Sequence, residues 1–128
     1  MADRYFTGWA LDPAQRQDLL ARFPPAYPEV IADHVTLAAN VPKASPLPTE
    51  TGGEIVGQAD DGAGVQAMVV RIGGTTDRPG GGTYHITWSI DRARGRKPVH
   101  SNDVLASGWA PLPEPVPVKL EPKRYPFR

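Results

Sequence analysis

Cysteine is absent from the chain, so neither a disulfide framework nor a thiolate metal site is available to it. Histidine is scarce, with three residues in 128. No apolar run approaches the roughly 20 residues that a membrane-spanning helix needs. The N-terminus also lacks the basic segment and apolar stretch of a secretory signal. These absences lead us to expect a soluble, cytoplasmic protein with no membrane contact; no metal or other cofactor is called for by the chemistry read below. Net charge is absent too, since 14 basic residues balance 14 acidic ones. That balance hides an asymmetry: residues 1–64 hold four basic and nine acidic side chains, whereas residues 65–128 hold ten and five. The total carries no nucleic-acid signature, but the second half could present a basic face to a phosphate-bearing ligand.

What is present suits one domain spanning residues 1–128, with 40% hydrophobic residues and enough length for a core without staples. Fifteen prolines and thirteen glycines imply many loops. They gather at Pro42–Pro48, in "GGTTDRPGGG" and in "PLPEPVPVKLEPKRYP". The last stretch suits a sheet edge or an extended wrap, because proline cannot donate to a ladder. The Gly73–Gly82 loop lacks the Gly-Lys-Ser/Thr of a phosphate-binding P-loop, and we read it as a plain connection or a cover for a cleft.

"YFTGWAL" leads to the clearest helix. Asp12 is a good N-cap, Pro13 suits the first helical position and Gln15 completes a box-like arrangement. Leu19, Leu20 and Phe23 form its apolar stripe, and Pro24-Pro25 stops it. Strands are expected at His34–Ala39, Glu54–Ala59, Val65–Ile72 and Tyr84–Ile90, with another near Val116–Leu120 and a short helix that Ser101 caps. The nearly continuous apolar run "VQAMVVRI" suits a central strand. The class is therefore α+β, with helices packed on mostly antiparallel sheet.

Two of those strands carry the same pattern. "ADHVTLAAN" and "TYHITWSID" each place threonine two residues after histidine, 51 positions apart. Strand side chains alternate between faces, so His34 and Thr36 share one face and His85 and Thr87 share another, each opposite its apolar neighbours. With eight threonines in 128 residues, two of three histidines showing this spacing is roughly a one-in-a-hundred coincidence. The plain alternative is that both residue types tolerate exposed strand positions. Two imidazoles flanking one phosphorus can serve as general base and general acid in an in-line displacement. Threonine hydroxyls and nearby cations can hold the non-bridging oxygens while charge develops.

Paired H-φ-T-φ strands of this kind resemble the 2H phosphoesterase superfamily. The likeness is to the cyclic phosphodiesterase domain of fungal and plant tRNA ligases and to related bacterial RNA-repair-like proteins. "HITWSID…GRKPVHSNDVL" and the "TGWAL" strand with its helix resemble those domains as well, so the similarity extends over most of the chain. It implies two pseudo-symmetric lobes, one motif each, with flanking helices around a central cleft. It also implies metal-independent opening of 2′,3′-cyclic phosphates on RNA ends or small nucleotides, leaving a 2′-phosphate. By resemblance His34, Thr36, His85 and Thr87 are the catalytic four, and an RNA kinase or ligase is the partner. The alternatives are a non-catalytic RNA-end or nucleotide-binding module and an RNA 2′-5′ ligase-like activity.

Further cations are candidates for phosphate binding. "DRARGRKP" offers Arg92, Arg94, Arg96 and Lys97 directly after the second motif, either contacting RNA phosphates or merely solvating a loop. Arg71, on the central strand, must face the groove or extend past it to water. His100 would complete a metal site only if it met His34 and His85, and no ligand spacing supports that. It reads instead as a surface or capping residue. Trp88 reads as core; Trp9, Tyr5 and Trp109 are either packed or available to stack on a base.

Overall fold

A computed structural model describes residues 4–126. The strands are β1 (Arg4–Leu11), β2 (Glu29–Val30), β3 (His34–Pro42), β4 (Gly52–Asp60), β5 (Val65–Arg71), β6 (His85–Ile90) and β7 (Ala110–Pro126). Helix α1 (Pro13–Arg22) follows β1, and α2 (Ser101–Ala106) precedes β7. Every strand pairing is antiparallel. The order β6-β3-β1-β7-β4-β5 closes on itself because β5 also pairs with β6, and β2 extends the β3 edge along β6. The α+β class and the mostly antiparallel sheet match the sequence expectation, and six strands close into a barrel-like sheet. No helix among the described residues is long and apolar enough to cross a membrane.

The interior is filled by Trp9, Leu11, Val35, Ile55, Met68, Val70, Ile86, Trp88, Val116, Val118 and Leu120. Trp9 and Trp88 lie in this core and still satisfy their indole N–H groups, donating to the carbonyls of Glu50 and Phe23 at 2.9 and 2.8 Å. Strand β5 is buried on both faces, in keeping with its nearly continuous apolar run and central place. Met68 and Val70 point into the barrel, while Ala67 and Val69 pack outside with Leu105 of α2. Trp109 packs against that outer cluster.

Helix α1 starts as predicted, with the Asp12 carboxylate accepting from the Gln15 N–H at 3.0 Å. Gln15 does not close the expected box. Its amide reaches β7 instead, donating to the Pro117 carbonyl at 2.9 Å and accepting from the Lys119 N–H at 2.6 Å. The reason is that β7 presents free peptide groups beside the helix.

The proline-rich stretch becomes a 17-residue strand, far longer than the sequence suggests. Residues 116–119 and 110–111 of it pair with β4, with a register shift between the two stretches, and residues 120–126 pair with β1. Each half therefore has one ladder and one free edge. Successive residues turn their peptide groups to alternate edges. Leu120 donates toward Thr51 beside β4, whereas Lys119 accepts from the Asp12 N–H on the β1 side. Pro117 thus faces away from β4 while β4 is the partner. Pro122 and Pro126, of the opposite parity, face away from β1 once β1 is the partner. The missing donors fall where no ladder needs them.

Candidate active site

Strands β3 and β6 meet in register at a single couple, Val35 opposite Ile86. Both side chains are fully buried in the core. These residues are the centres of the two motifs, so the neighbouring positions set His34 beside Thr87 and Thr36 beside His85. All four side chains consequently leave the sheet on its outer face. They line one cavity of about 500 Å³, whose walls also include Phe6, Leu37, Arg78, Val99 and Asn102.

A local distortion delivers the first motif. Between the Val30–Ser89 and Val35–Ile86 couples the β3 side contains two extra residues, Ala32 and Asp33. Ala32 is fully buried and takes a positive φ of 42°, a conformation costing a non-glycine residue about 1 kcal/mol. Arg16 of α1 holds this bulge, donating to the carbonyls of Ala32 and Ile31 at 2.8 and 3.2 Å. The bulge leaves Asp33 exposed, with its carboxylate 3.4 Å from His34 Nδ1. Phe6 and Tyr125 stack on one another at 4.8 Å, and each lies 5.5 Å from the His34 ring. Burial, reinforced by Asp33 and Glu121, pushes the Tyr125 phenol up to about 12, so it remains protonated beside the imidazole.

His85 has a different setting. Its Nδ1 lies 2.8 Å from the Thr83 carbonyl, which can only accept. Nδ1 therefore carries the proton, and Nε2 is the nitrogen able to take one up. Burial holds the imidazole below the usual histidine range. The Thr83 carbonyl opposes that shift, while electrostatic repulsion from Arg78 and then His34 adds to it. Thr87 is mostly buried, with its hydroxyl 2.9 Å from Ser101 Oγ and 3.3 Å from the Pro98 carbonyl. Ser101 does not cap its helix as the sequence suggests. The side chain turns inward to Thr87, and the 3₁₀ turn at Pro98–His100 leads into α2 directly. With Ser101 donating to Thr87, the threonine O–H is held only by the longer contact to Pro98 and can swing to donate a hydrogen bond to a ligand oxygen.

The cations singled out in the sequence are not assembled here. Arg71 pairs across the β4–β5 ladder with Glu54 at 2.7 Å. Arg92 pairs with Glu29 at 2.6 Å, Arg94 with Asp91 at 3.2 Å, and Arg96 with Asp61. Lys97 is exposed and, like these four arginines, does not line the cavity. Carboxylates distant in sequence claim three of them, which local spacing cannot reveal. His100 accepts from the Lys97 N–H at 3.0 Å, a capping role as expected. Trp9, buried in the barrel, is unavailable to a base. The cation that does reach the cavity is Arg78, from the glycine-rich loop before β6. Its sequence signal is a lone arginine beside "PGGG". Phe6 could have been found by its strand parity, opposite to that of Trp9 and Leu11. No known protein family, curated protein or solved structure matches this chain.

Proposed function

We propose that the protein is a metal-independent 2′,3′-cyclic nucleotide phosphodiesterase of the 2H type, acting on RNA ends or small nucleotides. The observation that carries this reading is the register of β3 on β6. The couple Val35–Ile86 lies at the centre of both motifs, so two histidines and two threonines open onto one cavity. The two pseudo-symmetric lobes of that superfamily, with one motif in each, belong to the same proposal.

In this mechanism His85 is the base. Its Nδ1 proton is tied to Thr83 and its burial keeps it neutral, so Nε2 can accept a proton from water attacking phosphorus. His34, ringed by Phe6 and Tyr125 and anchored at Nδ1 by Asp33, protonates the leaving ribose oxygen. Departure of the 3′ oxygen leaves a 2′-phosphate. Thr36 and Thr87 donate to the non-bridging oxygens as negative charge builds there. A cytoplasmic repair setting, with an RNA kinase or ligase acting before or after, belongs to the same proposal.

The test is incubation with 2′,3′-cyclic AMP and with an oligonucleotide ending in a cyclic phosphate, with and without chelator. Turnover that survives chelation is expected, and His34→Ala or His85→Ala should each slow it by about 10²–10⁴-fold. Chelator-sensitive turnover would rule out the metal-free mechanism. Binding of both substrates without turnover would make the protein an RNA-end or nucleotide-binding module instead. Joining of the ends would make it a ligase-like enzyme.

A further inference from the structure

A phosphodiester site built from two histidines and two threonines has no permanent positive charge. Among the described residues lining the cavity, Arg78 is the only arginine or lysine. Arg71, Arg92, Arg94 and Arg96 are each neutralised by a carboxylate. Arg78 instead contacts neutral oxygens. Its Nε donates to the Gly81 carbonyl at 3.0 Å and its Nη2 to Asn102 Oδ1 at 3.1 Å. Asn102 is itself oriented, because its amide nitrogen donates to the Val99 carbonyl at 3.0 Å and so leaves the oxygen for the arginine. The guanidinium is thus fixed in direction while its charge stays unspent.

The loop is shaped around this side chain. Gly80, Gly81 and Gly82 all take positive φ, at 87°, 115° and 88°. Backbone bonds from Arg78 to Gly82 and from Gly81 to Arg78, each 3.0 Å, close the turn. A Cβ on Gly82 would lie 2.7 Å from Arg78 Nη2. Glycine there lets the chain pass close to its own guanidinium.

We propose that Arg78 is the phosphate-binding cation of this cavity. Of its five N–H donors, those not held by Gly81 and Asn102 bond the non-bridging oxygens of a bound phosphate monoester or cyclic diester. Asn102 is the positioning residue that aims it. The proposal rests on the cavity being a phosphate site and deepens the phosphodiesterase reading. It accounts for the loop that separates β5 from β6, and it assigns the role that the post-motif arginines do not fill. The proximity of Arg78 to His85 agrees with it, since the same charge helps keep that imidazole neutral.

The experiment measures binding apart from turnover. Adenosine 2′-monophosphate and adenosine are titrated by calorimetry against the wild type, Arg78→Gln, Arg78→Lys, Asn102→Ala and, as a charge-matched control, Lys43→Gln, an exposed residue away from the cavity. Loss of a charge-assisted bond predicts about a ten- to hundredfold weaker Kd for the monophosphate in Arg78→Gln. Arg78→Lys should fall between, because it keeps charge but not the planar fork. Asn102→Ala should weaken binding roughly two- to tenfold, because the guanidinium loses the oxygen that aims it. Adenosine binding should be unchanged in all variants. Removal of Arg78 should also raise the pH midpoint of His85, followed by its imidazole proton resonances against pH with His34 tracked alongside. Equal losses for adenosine and its monophosphate, an unaffected Kd in Arg78→Gln, or no monophosphate binding by the wild type would each overturn the proposal. Arg78-dependent phosphate binding without any turnover would leave it standing and remove the phosphodiesterase reading alone.

Discussion

Gly8→Ala tests how the site is tied to the barrel. Gly8 of β1 pairs with Thr36 of β3, and the register shifts immediately before it. A Cβ at this position would lie 2.0 Å from the Val35 carbonyl oxygen, 3.0 Å from its carbon and 3.1 Å from Leu37 N. All three contacts are backbone, so no side chain can rotate away. The strands must part by about 1.4 Å or more to restore ordinary separation. Overpacking of this kind costs about 1–3 kcal/mol, and a rigid ladder places it near 3. With unfolding entropy near 2.1 cal/mol/K per residue, 3 kcal/mol lowers the melting temperature of a 128-residue chain by about 11 °C. Gly62→Ala is the contrast. Unlike Gly8 it has a positive φ, 69°, but nothing lies within 4 Å of the added methyl, so it should lose only about 1 kcal/mol, roughly 4 °C. Calorimetry and urea denaturation measure both. The displaced residue in Gly8→Ala is Val35, the one that fixes β3 on β6. Turnover of 2′,3′-cyclic AMP well below the melting range should therefore drop about a hundredfold or more, as for a misplacement of catalytic groups by about 1 Å or more. A Gly8→Ala protein that melts with the wild type would refute the close-approach argument. One that melts lower but retains full kcat would sever the link between that crossing and the site.

Three further predictions concern the same surface. Because His85 is held below its ordinary value of 6.5, the acid limb of the kcat/KM profile should lie below pH 6.5; a limb above it would exclude His85 as base. Unfolding raises that imidazole's proton affinity, so its contribution to stability is complete above pH 6.5 and is lost as pH falls through the folded value. His85→Asn should flatten urea midpoints across that window. Ser101→Ala, which removes the 2.9 Å contact to Thr87, should cost about 1 kcal/mol and depress kcat more than it raises KM; a pure KM effect would deny Thr87 its role in the transition state. Arg16→Gln, which strips two donors from the bulge at Ile31 and Ala32, should cost about 1–2 kcal/mol and speed amide exchange along β2–β6, and unchanged exchange there would show that the bulge holds itself.

Features set by nearest neighbours were readable in the sequence. Asp12 and Pro13 announced α1, the apolar run of β5 announced a strand buried on both faces, and alternation put each histidine with its threonine. The mutual register of the two motif strands was beyond reach, because one couple separated by 51 residues decides it. The ion pairs of Arg92 and Arg96 lay out of reach for the same reason. Glu29 and Asp61 lie 63 and 35 residues from Arg92 and Arg96, and only folding brings them together. Arg78 was hidden differently, in a loop whose meaning comes from the positive φ of Gly80, Gly81 and Gly82. Strand β7 was underestimated because proline count argues against a ladder, whereas proline parity decides whether one survives.

That parity has an evolutionary consequence. In β7, Pro117, Pro122 and Pro126 are acceptable only while each keeps its odd or even position relative to the partner it currently faces. Deleting one codon between Lys119 and Pro122 would swing Pro122 and Pro126 toward β1 and remove two donors from the seam. Deleting two would preserve the pattern and merely shorten the strand. Gene histories of this segment should therefore accept paired insertions and deletions and purge single ones, a bias that substitution tolerance at the same positions would never disclose.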